Sequence, residues 1–213
     1  MHNTLETRFA AAPVVPLVQA DDPAVAVATA RALAAGGLSV IEVVLRTDAA
    51  LDCLRAITME CDDVITGAGT VLTASQAYAA REAGAEFIIS PGIDDAIVGF
   101  ANEAGVPVYP GTYTPTDLMR AVNLGLDTVK FFPAAIAGGV PALKALSSVF
   151  RDLRFMPTGG VSAANLAEYL AVPAVVACGG TWLTPADKIA AGDYAAATTL
   201  AHDALAIATA VRG

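Results

Sequence analysis

The chain has 213 residues, of which 55% are hydrophobic and 15% charged, and its 12 Lys and Arg against 21 Asp and Glu give a net charge of −9. So much apolar sequence excludes a disordered chain, and an acidic balance without basic clusters argues against a nucleic-acid or anionic-membrane partner. The mean hydropathy of +0.58 does not indicate a membrane span, because the longest uncharged stretch, 169–186, is interrupted by proline and glycine.

Short runs rich in Val and Ile alternate with Ala-rich segments that have helical spacing. After a lead-in segment over 1–12, the predicted strands are 14–20, 39–46, 64–70, 86–91, 107–111, 128–133, 154–159 and 174–179. The predicted helices between and after them are 22–35, 49–59, 75–83, 94–104, 115–124, 140–146, 162–170 and 194–211.

Eight strand–helix alternations predict parallel strands that are joined by crossover helices and buried on both faces. Eight such units favour closure into a single α/β domain over 1–213, a (β/α)₈ TIM barrel whose lead-in helix covers the bottom. The rival fold, an open doubly wound sheet, would usually carry GxGxxG after its first strand. The sequence there reads QADDP, which is typical of a helix N-cap followed by Pro23.

Charged residues fall on the predicted inner face of two strands. Alternation puts Glu42 and Arg46 inside the barrel on the second strand, and Lys130 and Phe132 inside on the sixth. Barrel interiors are normally filled with branched apolar side chains, and an unpaired buried charge costs several kcal/mol. These charges therefore indicate either a structural ion pair, Glu42 with Lys130 or Arg46, or a reactive site.

Lys130 is the candidate nucleophile. Burial among aromatic neighbours and a nearby guanidinium favour the uncharged amine, whereas a nearby carboxylate acts in the opposite direction. Such an amine forms a Schiff base with a carbonyl substrate, and the resulting iminium accepts electrons when a C–C bond breaks. The two other lysines, Lys144 and Lys188, are predicted to be solvated surface charges.

Three further residues suit this chemistry. Glu42 is the best-placed general acid/base, because both histidines, His2 and His202, fall in the leading and trailing segments. Arg46 lies further toward the C-terminal end of its strand and suits a bidentate clamp on a carboxylate or phosphate. Thr70 ends the third strand with a hydroxyl beside glycines, although GAGT is also typical of a tight turn alone.

Glycine pairs end the last two predicted strands, Gly159–Gly160 and Gly179–Gly180. Barrels commonly bind phosphate with backbone N–H groups at these two positions, and Thr181 would add a hydroxyl. A metal site is not expected, because the sequence contains neither HxH nor HExxH.

Six motifs in order, IEVVLRT (41–47), GAGTVL (67–72), ISPG (89–92), VKFFPA (129–134), PTGGV (157–161) and CGGTWL (178–183), resemble the 2-keto-3-deoxy-6-phosphogluconate (KDPG) aldolase family. The resemblance implies a cytoplasmic, homotrimeric (β/α)₈ class I aldolase of the Entner–Doudoroff pathway. Such a lyase yields pyruvate and glyceraldehyde 3-phosphate through a covalent imine, without an external cofactor.

The resemblance also implies a role for each matched residue. Lys130 would be the Schiff-base lysine and Glu42 the general acid/base. The substrate would be bound by the remaining matched positions: Arg46 and Thr70 at the pyruvate carboxylate, Pro91 and Phe132 around the pyruvyl carbon, Thr158 at the sugar-acid hydroxyls, and Gly159, Gly160, Gly179, Gly180 and Thr181 at the phosphate.

The chain departs from the family pattern at two places. Thr181 stands where the family usually has Ser, and the sequence after FFPA reads AIA (135–137) instead of a more polar segment. The second departure affects recognition of the distal part of the substrate.

Alternative functions remain open on the sequence. Cleavage of 4-hydroxy-2-oxoglutarate to pyruvate and glyoxylate is a compatible side activity. The galactonate-epimer aldolase is a second reading, although Thr158 favours the gluconate substrate. Outside the family, the rival function is a phosphate-binding barrel isomerase or synthase with a structural lysine. A catalytically inactive scaffold is disfavoured, because Lys130, Glu42 and Arg46 are all present.

The cysteines and the amino terminus indicate a compartment. Cys53, Cys61 and Cys178 are odd in number and lack CxxC spacing, which predicts reduced, mostly buried thiols. The first residues show no basic segment leading into an apolar one, so no secretory signal is predicted. Both features favour a cytoplasmic protein.

Overall fold

The computed structural model describes residues 2–213, with side chains described from Leu5 onward, so Met1 and the His2 side chain lie outside the described part. Eight strands follow one another along the chain: β1 Val14–Val18, β2 Val40–Val44, β3 Ile65–Gly69, β4 Ile88–Ser90, β5 Val108–Thr112, β6 Thr128–Phe131, β7 Arg154–Pro157 and β8 Cys178–Gly180. The helices are α1 His2–Ala11, α2 Pro23–Ala35, α3 Ala50–Glu60, α4 Ala74–Glu82, α5 Asp95–Ala104, α6 Pro115–Asn123, α7 Gly139–Val149, α8 Leu166–Leu170, α9 Ala186–Ala190 and α10 Tyr194–Arg212.

The strands form one parallel sheet that curls into a barrel. Their order is β7-β6-β5-β4-β3-β2-β1-β8, and bridges from Phe155 to Val175 and from Thr158 to Gly179 join the two ends. The predicted (β/α)₈ barrel is thereby confirmed. The alternating outer face packs Ile41, Val43 and Val129 into the apolar layer under the helices.

Apolar side chains close the lower, N-terminal end of the barrel interior. We call this cluster the lower plug; it consists of Leu5, Phe9, Val15, Val40, Ile65, Phe87, Ile89, Tyr109, Met156 and Ala177. Helix α1 contributes the first two of these residues, so it covers the bottom as expected. The interior above the plug lies toward the C-terminal ends of the strands and contains the charged side chains of Glu42 and Lys130.

Capping side chains explain where several helices begin, and these residues can be recognised in the sequence. Asp22 is extended, and its carboxylate accepts from the Ala24 N–H just before Pro23. Thr114 and Asp117 form a reciprocal capping box at α6. Asp94 accepts from two N–H groups at the start of α5, where a carboxylate also complements the helix dipole.

Most predicted bounds move by three residues or fewer at either end, and three elements differ by more. Strand β8 begins at Cys178, four residues later than predicted, because the segment that follows Pro173 forms turns and a single bridge. Helix α8 is shorter than predicted, since the Asn165 side chain accepts from Ser162 N and donates to Gly160 O, which holds the preceding residues in a turn. Helix α9 was not predicted.

Candidate active site

Two ionisable side chains meet inside the barrel, one from β6 and one from β2. Lys130 Nζ donates to Glu42 Oε1 at 3.4 Å, and the two side chains are only 5% and 1% exposed. Alternation along both strands brings them to the interior, as predicted. The ion pair that the sequence left as an alternative is therefore formed, and it involves Lys130, not Arg46.

The lysine is held by aromatic and polar neighbours. The Phe132 ring centroid lies 5.1 Å from Nζ, a cation–π distance. From β5, the buried Thr112 hydroxyl donates to the Lys130 carbonyl at 3.0 Å. These contacts fix the backbone of β6 and one flank of the amine.

One oxygen of Glu42 has no partner. Oε2 is fully buried and makes no hydrogen bond with any described residue. Buried polar atoms are normally satisfied, so an orphaned carboxylate oxygen needs an explanation. A proton, a water molecule or a substrate hydroxyl beside Oε2 would supply the missing partner.

Glycines on the inner face open the space around this pair. A Cβ on Gly69 would overlap the Glu42 carboxylate, and one on Gly111 would overlap the Pro91 carbonyl. Sequence reasoning anticipated close backbone approach at Gly69 but missed Gly111. The signal was there: both glycines fall on the inward-facing parity of their strands, where a barrel normally places bulky side chains.

Arg46 and Thr70 meet at the mouth of the barrel. Arg46 Nε donates to Thr70 Oγ1 at 3.2 Å. Thr70 has φ +58, an uncommon conformation for a residue with a β-branched side chain, and such strain clusters at functional sites. Among the described residues no carboxylate pairs with Arg46, whose guanidinium is exposed.

The ends of β7 and β8 lie together beside this mouth. Thr158 is buried and packs against Gly179, where a Cβ would overlap its hydroxyl. Gly180 packs likewise under the Trp182 ring. Thr181, the next residue, is exposed.

The loop after β7 exposes backbone donors. Gly159 and Gly160 have φ +93 and +81, in the left-handed region that glycine adopts readily. The Gly159 carbonyl accepts from Ala135 N, which ties this loop to the one after β6. The N–H groups of Gly160 and Val161 make no hydrogen bond with any residue the structure describes. Free amides of this kind suit an oxyanion.

The described residues form neither a metal site nor a membrane span. Within the described residues no three His, Cys, Asp or Glu side chains converge in a way that would hold a metal ion. Over the same part of the chain, no helix has both the length and the apolar character needed to cross a bilayer.

The sequence and the fold both match one family of proteins. The family model for KDPG and KHG aldolase matches residues 5–200. The 2-dehydro-3-deoxy-phosphogluconate aldolase of Treponema pallidum is 47% identical over 195 residues, which cover 92% of this chain and 91% of that protein.

Two solved structures extend the match to three dimensions. The 2-keto-3-deoxy-6-phosphogluconate aldolase of Zymomonas mobilis, solved with 3-phosphoglycerate, superposes with a TM-score of 0.92 at 41% identity and full coverage of both chains. The KDPG aldolase of Legionella pneumophila, with pyruvate captured as a covalent carbinolamine, gives 0.89 at 39% identity, covering 92% of this chain and 96% of that one. The chain therefore belongs to the KDPG and KHG aldolase family of lyases.

Proposed function

We propose that this protein is a class I aldolase that cleaves 2-dehydro-3-deoxy-6-phosphogluconate to pyruvate and glyceraldehyde 3-phosphate. The observation that carries the proposal is the buried contact between Lys130 Nζ and Glu42 Oε1 inside the barrel. The names of the family relatives supply the substrate.

The pair generates its own nucleophile. Passing one proton from the lysine ammonium to the carboxylate across the 3.4 Å contact leaves both groups uncharged. The free amine then attacks the C2 ketone and forms a carbinolamine. The proton held by Glu42 leaves with the carbinolamine hydroxyl as water, which gives the iminium and restores the Glu42 carboxylate. The Legionella relative, with its covalent carbinolamine, supports this step.

The same carboxylate serves the cleavage step. The C4 hydroxyl gives its proton to Glu42, the C3–C4 bond breaks as the aldehyde forms, and the bonding electrons pass into the iminium as an enamine. Protonation of C3 and hydrolysis of the imine by water release pyruvate and restore the amine. The unpartnered Glu42 Oε2 has the open coordination that a proton shuttle requires.

The carboxylate of the substrate would lie at the mouth, on Arg46 and Thr70. The guanidinium keeps its Nη groups available, because only Nε is engaged, by the Thr70 hydroxyl. Planar bidentate binding is the arrangement that arginine offers a carboxylate. Pro91 and Phe132 would enclose the pyruvyl carbon from either side.

The phosphate would lie at the ends of β7 and β8. The unengaged N–H groups of Gly160 and Val161 and the exposed Thr181 hydroxyl provide neutral donors, and the end of β8 at Gly179–Gly180 lies beside them. Such donors hold an anion locally despite the net charge of −9. Thr158, between the lysine and this loop, would contact the sugar-acid hydroxyls.

A second substrate, 4-hydroxy-2-oxoglutarate, is supported by the description of the family, which includes KHG aldolase. It shares the 2-keto acid end and the hydroxyl on C4, so the same lysine and carboxylate act on it. The galactonate epimer is distinguished by assaying both C4 epimers, and we expect a higher kcat/KM for the gluconate form.

Reductive trapping tests the proposal directly. Borohydride added with pyruvate is expected to attach one pyruvyl group at Lys130, located by peptide mass spectrometry. Lys130→Met should abolish both trapping and cleavage, while Lys144→Met, on an exposed lysine of α7, should retain both. Labelling elsewhere, or turnover by Lys130→Met, would refute the imine mechanism and favour an isomerase or synthase.

The homotrimer is proposed on the family resemblance and on surface composition. Large exposed apolar side chains concentrate between residues 72 and 122, at Leu72, Tyr78, Tyr113, Met119 and Val122. Exposed apolar groups in such number mark interaction surfaces. Light scattering is expected to give about three times the chain mass of 21.5 kDa; a monomer or dimer would contradict this. The single-domain organisation and the cytoplasmic location stay predictions.

A further inference from the structure

A cavity opens at the opposite end of the barrel from Lys130. Its volume is about 760 Å³, and it is bounded by α1, by the residues that lead into β5 to β8, and by Arg212 of α10. That size is in the range of small-molecule pockets. The lower plug separates it from the candidate active site.

Three polar side chains line up on the inner face at this end. Gly111 pairs with Lys130, so Tyr109 lies opposite Thr128 two residues earlier, and Thr128 pairs with Arg154. We call these three residues the lower polar layer. All three line the cavity, at positions where a barrel usually has branched apolar residues.

None of the three has a polar partner among the described residues. The Tyr109 side chain is only 8% exposed, and its ring packs against Phe9 and Phe87. Its hydroxyl makes no hydrogen bond there. Thr128 and Arg154 likewise make no side-chain hydrogen bond or ion pair within that part of the chain. Arg154 is exposed and the Tyr109 hydroxyl keeps some contact with solvent, so all three residues present free polar groups to the cavity.

The rim of the cavity has mixed charge. Glu6, Asp127 and Asp152 contribute carboxylates. Burial first, and then the charges of Asp127 and Glu6, raises the pKa of the Tyr109 hydroxyl. The Arg212 guanidinium is engaged by backbone carbonyls, including that of Val175 at 2.6 Å.

We propose that this cavity binds a free α-amino acid with an apolar side chain. The ligand carboxylate lies on Arg154 and Thr128, its ammonium lies toward Glu6 and Asp127 beside the Tyr109 hydroxyl, and its side chain packs on the apolar wall. The three carboxylates offer partners to an ammonium and Arg154 offers one to a carboxylate, so a zwitterion uses both kinds of charge in the lining, whereas a simple anion or a simple cation uses only one. The inference is independent of the proposed aldolase activity.

Titration calorimetry with the full chain tests the charge requirement. The probes are L-phenylalanine, its amide, which lacks the carboxylate, and N-acetyl-L-phenylalanine, which lacks the ammonium. Saturable binding of the zwitterion is expected, with each derivative at least about tenfold weaker. No binding of L-phenylalanine, or equal binding of all three probes, would overturn the proposal.

Variants test the location. Arg154→Gln and Asp127→Asn should each weaken binding of L-phenylalanine by about tenfold, because each removes a charged hydrogen-bond partner. Arg151→Gln, an exposed arginine near in sequence that does not line the cavity, should bind as the unchanged protein does. Circular dichroism and thermal unfolding of all three variants check that the barrel is folded. Normal affinity in Arg154→Gln would place the ligand elsewhere and refute the site.

Discussion

Gly69 lies against the Glu42 carboxylate so closely that a Cβ at position 69 would overlap Oε1, Cγ and Cδ of the glutamate. The two residues are on neighbouring strands, since Val44 of β2 pairs with Gly69 of β3. The carboxylate therefore occupies the volume that a side chain on β3 would fill. The Glu42 carboxylate can contact Lys130 because residue 69 is a glycine and has no Cβ.

Gly69→Ala is expected to move the Glu42 carboxylate away from Lys130. We expect kcat to fall to a level similar to that of Glu42→Gln, with a stability loss of about 1–3 kcal/mol from overpacking. Steady-state kinetics and thermal unfolding measure the two effects. Gly99→Ala is the matched control, because a Cβ there, on helix α5, meets nothing within 4 Å. A kcat for Gly69→Ala close to that of the control would contradict the spatial argument.

Glu42→Gln should separate imine formation from cleavage. The amide cannot shuttle the proton of the substrate hydroxyl, so kcat is expected to fall by about 10²–10⁴-fold. Pyruvate should still be trapped on Lys130 by borohydride, more slowly, because water can move the protons of imine formation. Complete loss of trapping in a folded variant would mean that the carboxylate acts on the lysine alone.

Thr181→Ala tests the phosphate site. Loss of a hydroxyl to a charged group should raise KM for the phosphorylated substrate by about ten- to a hundredfold while kcat changes little. KM for 4-hydroxy-2-oxoglutarate, which carries no phosphate, serves as the internal control and should be unaffected. Equal changes for both substrates would move the phosphate to another place.

The cysteines should resist alkylation in the folded protein. All three are buried, and burial raises the pKa of Cys178 to about 12 and also raises the pKa values of Cys53 and Cys61. Because the thiolate is the reactive form, iodoacetamide at pH 8 is expected to label none of them until guanidinium unfolds the chain. Native labelling at Cys178, measured by mass spectrometry, would contradict its burial.

A related effect concerns stability. Thiols that ionise less readily in the folded chain than in the unfolded one contribute stability that is present below pH 9.0, their ordinary pKa, and is lost as the pH rises above it. Thermal unfolding should therefore occur at lower temperature above pH 9.0.

The sequence was sufficient for the barrel and for its reactive pair. Strict alternation along a strand decides which residues face inward, so Glu42 and Lys130 could be assigned to the interior without coordinates. The motifs of the family then linked positions that are far apart in the chain, such as Thr158 and Gly179, which the structure brings into contact.

Features that depend on packing between elements could not be predicted from the sequence. Helix α9 has five residues, too few for a periodic apolar pattern. The left-handed conformation of Thr70 is imposed by surrounding structure, because no local preference of threonine favours it. The lower polar layer was missed because strand register, which aligns Tyr109 with Thr128 and Arg154, cannot be derived from single strands.

The lower plug closes the N-terminal end of the barrel interior, so reactants reach Lys130 from the C-terminal ends of the strands. Under the proposed reaction, the phosphorylated aldehyde lies nearest the C-terminal ends of the strands, and pyruvate stays covalently bound to Lys130 deeper in the interior. The aldehyde must leave first, before water can reach and hydrolyse the imine. We therefore expect pyruvate, the last product to leave, to inhibit competitively with substrate. Glyceraldehyde 3-phosphate, the first to leave, should inhibit noncompetitively, because the closed lower end of the barrel imposes this order of release.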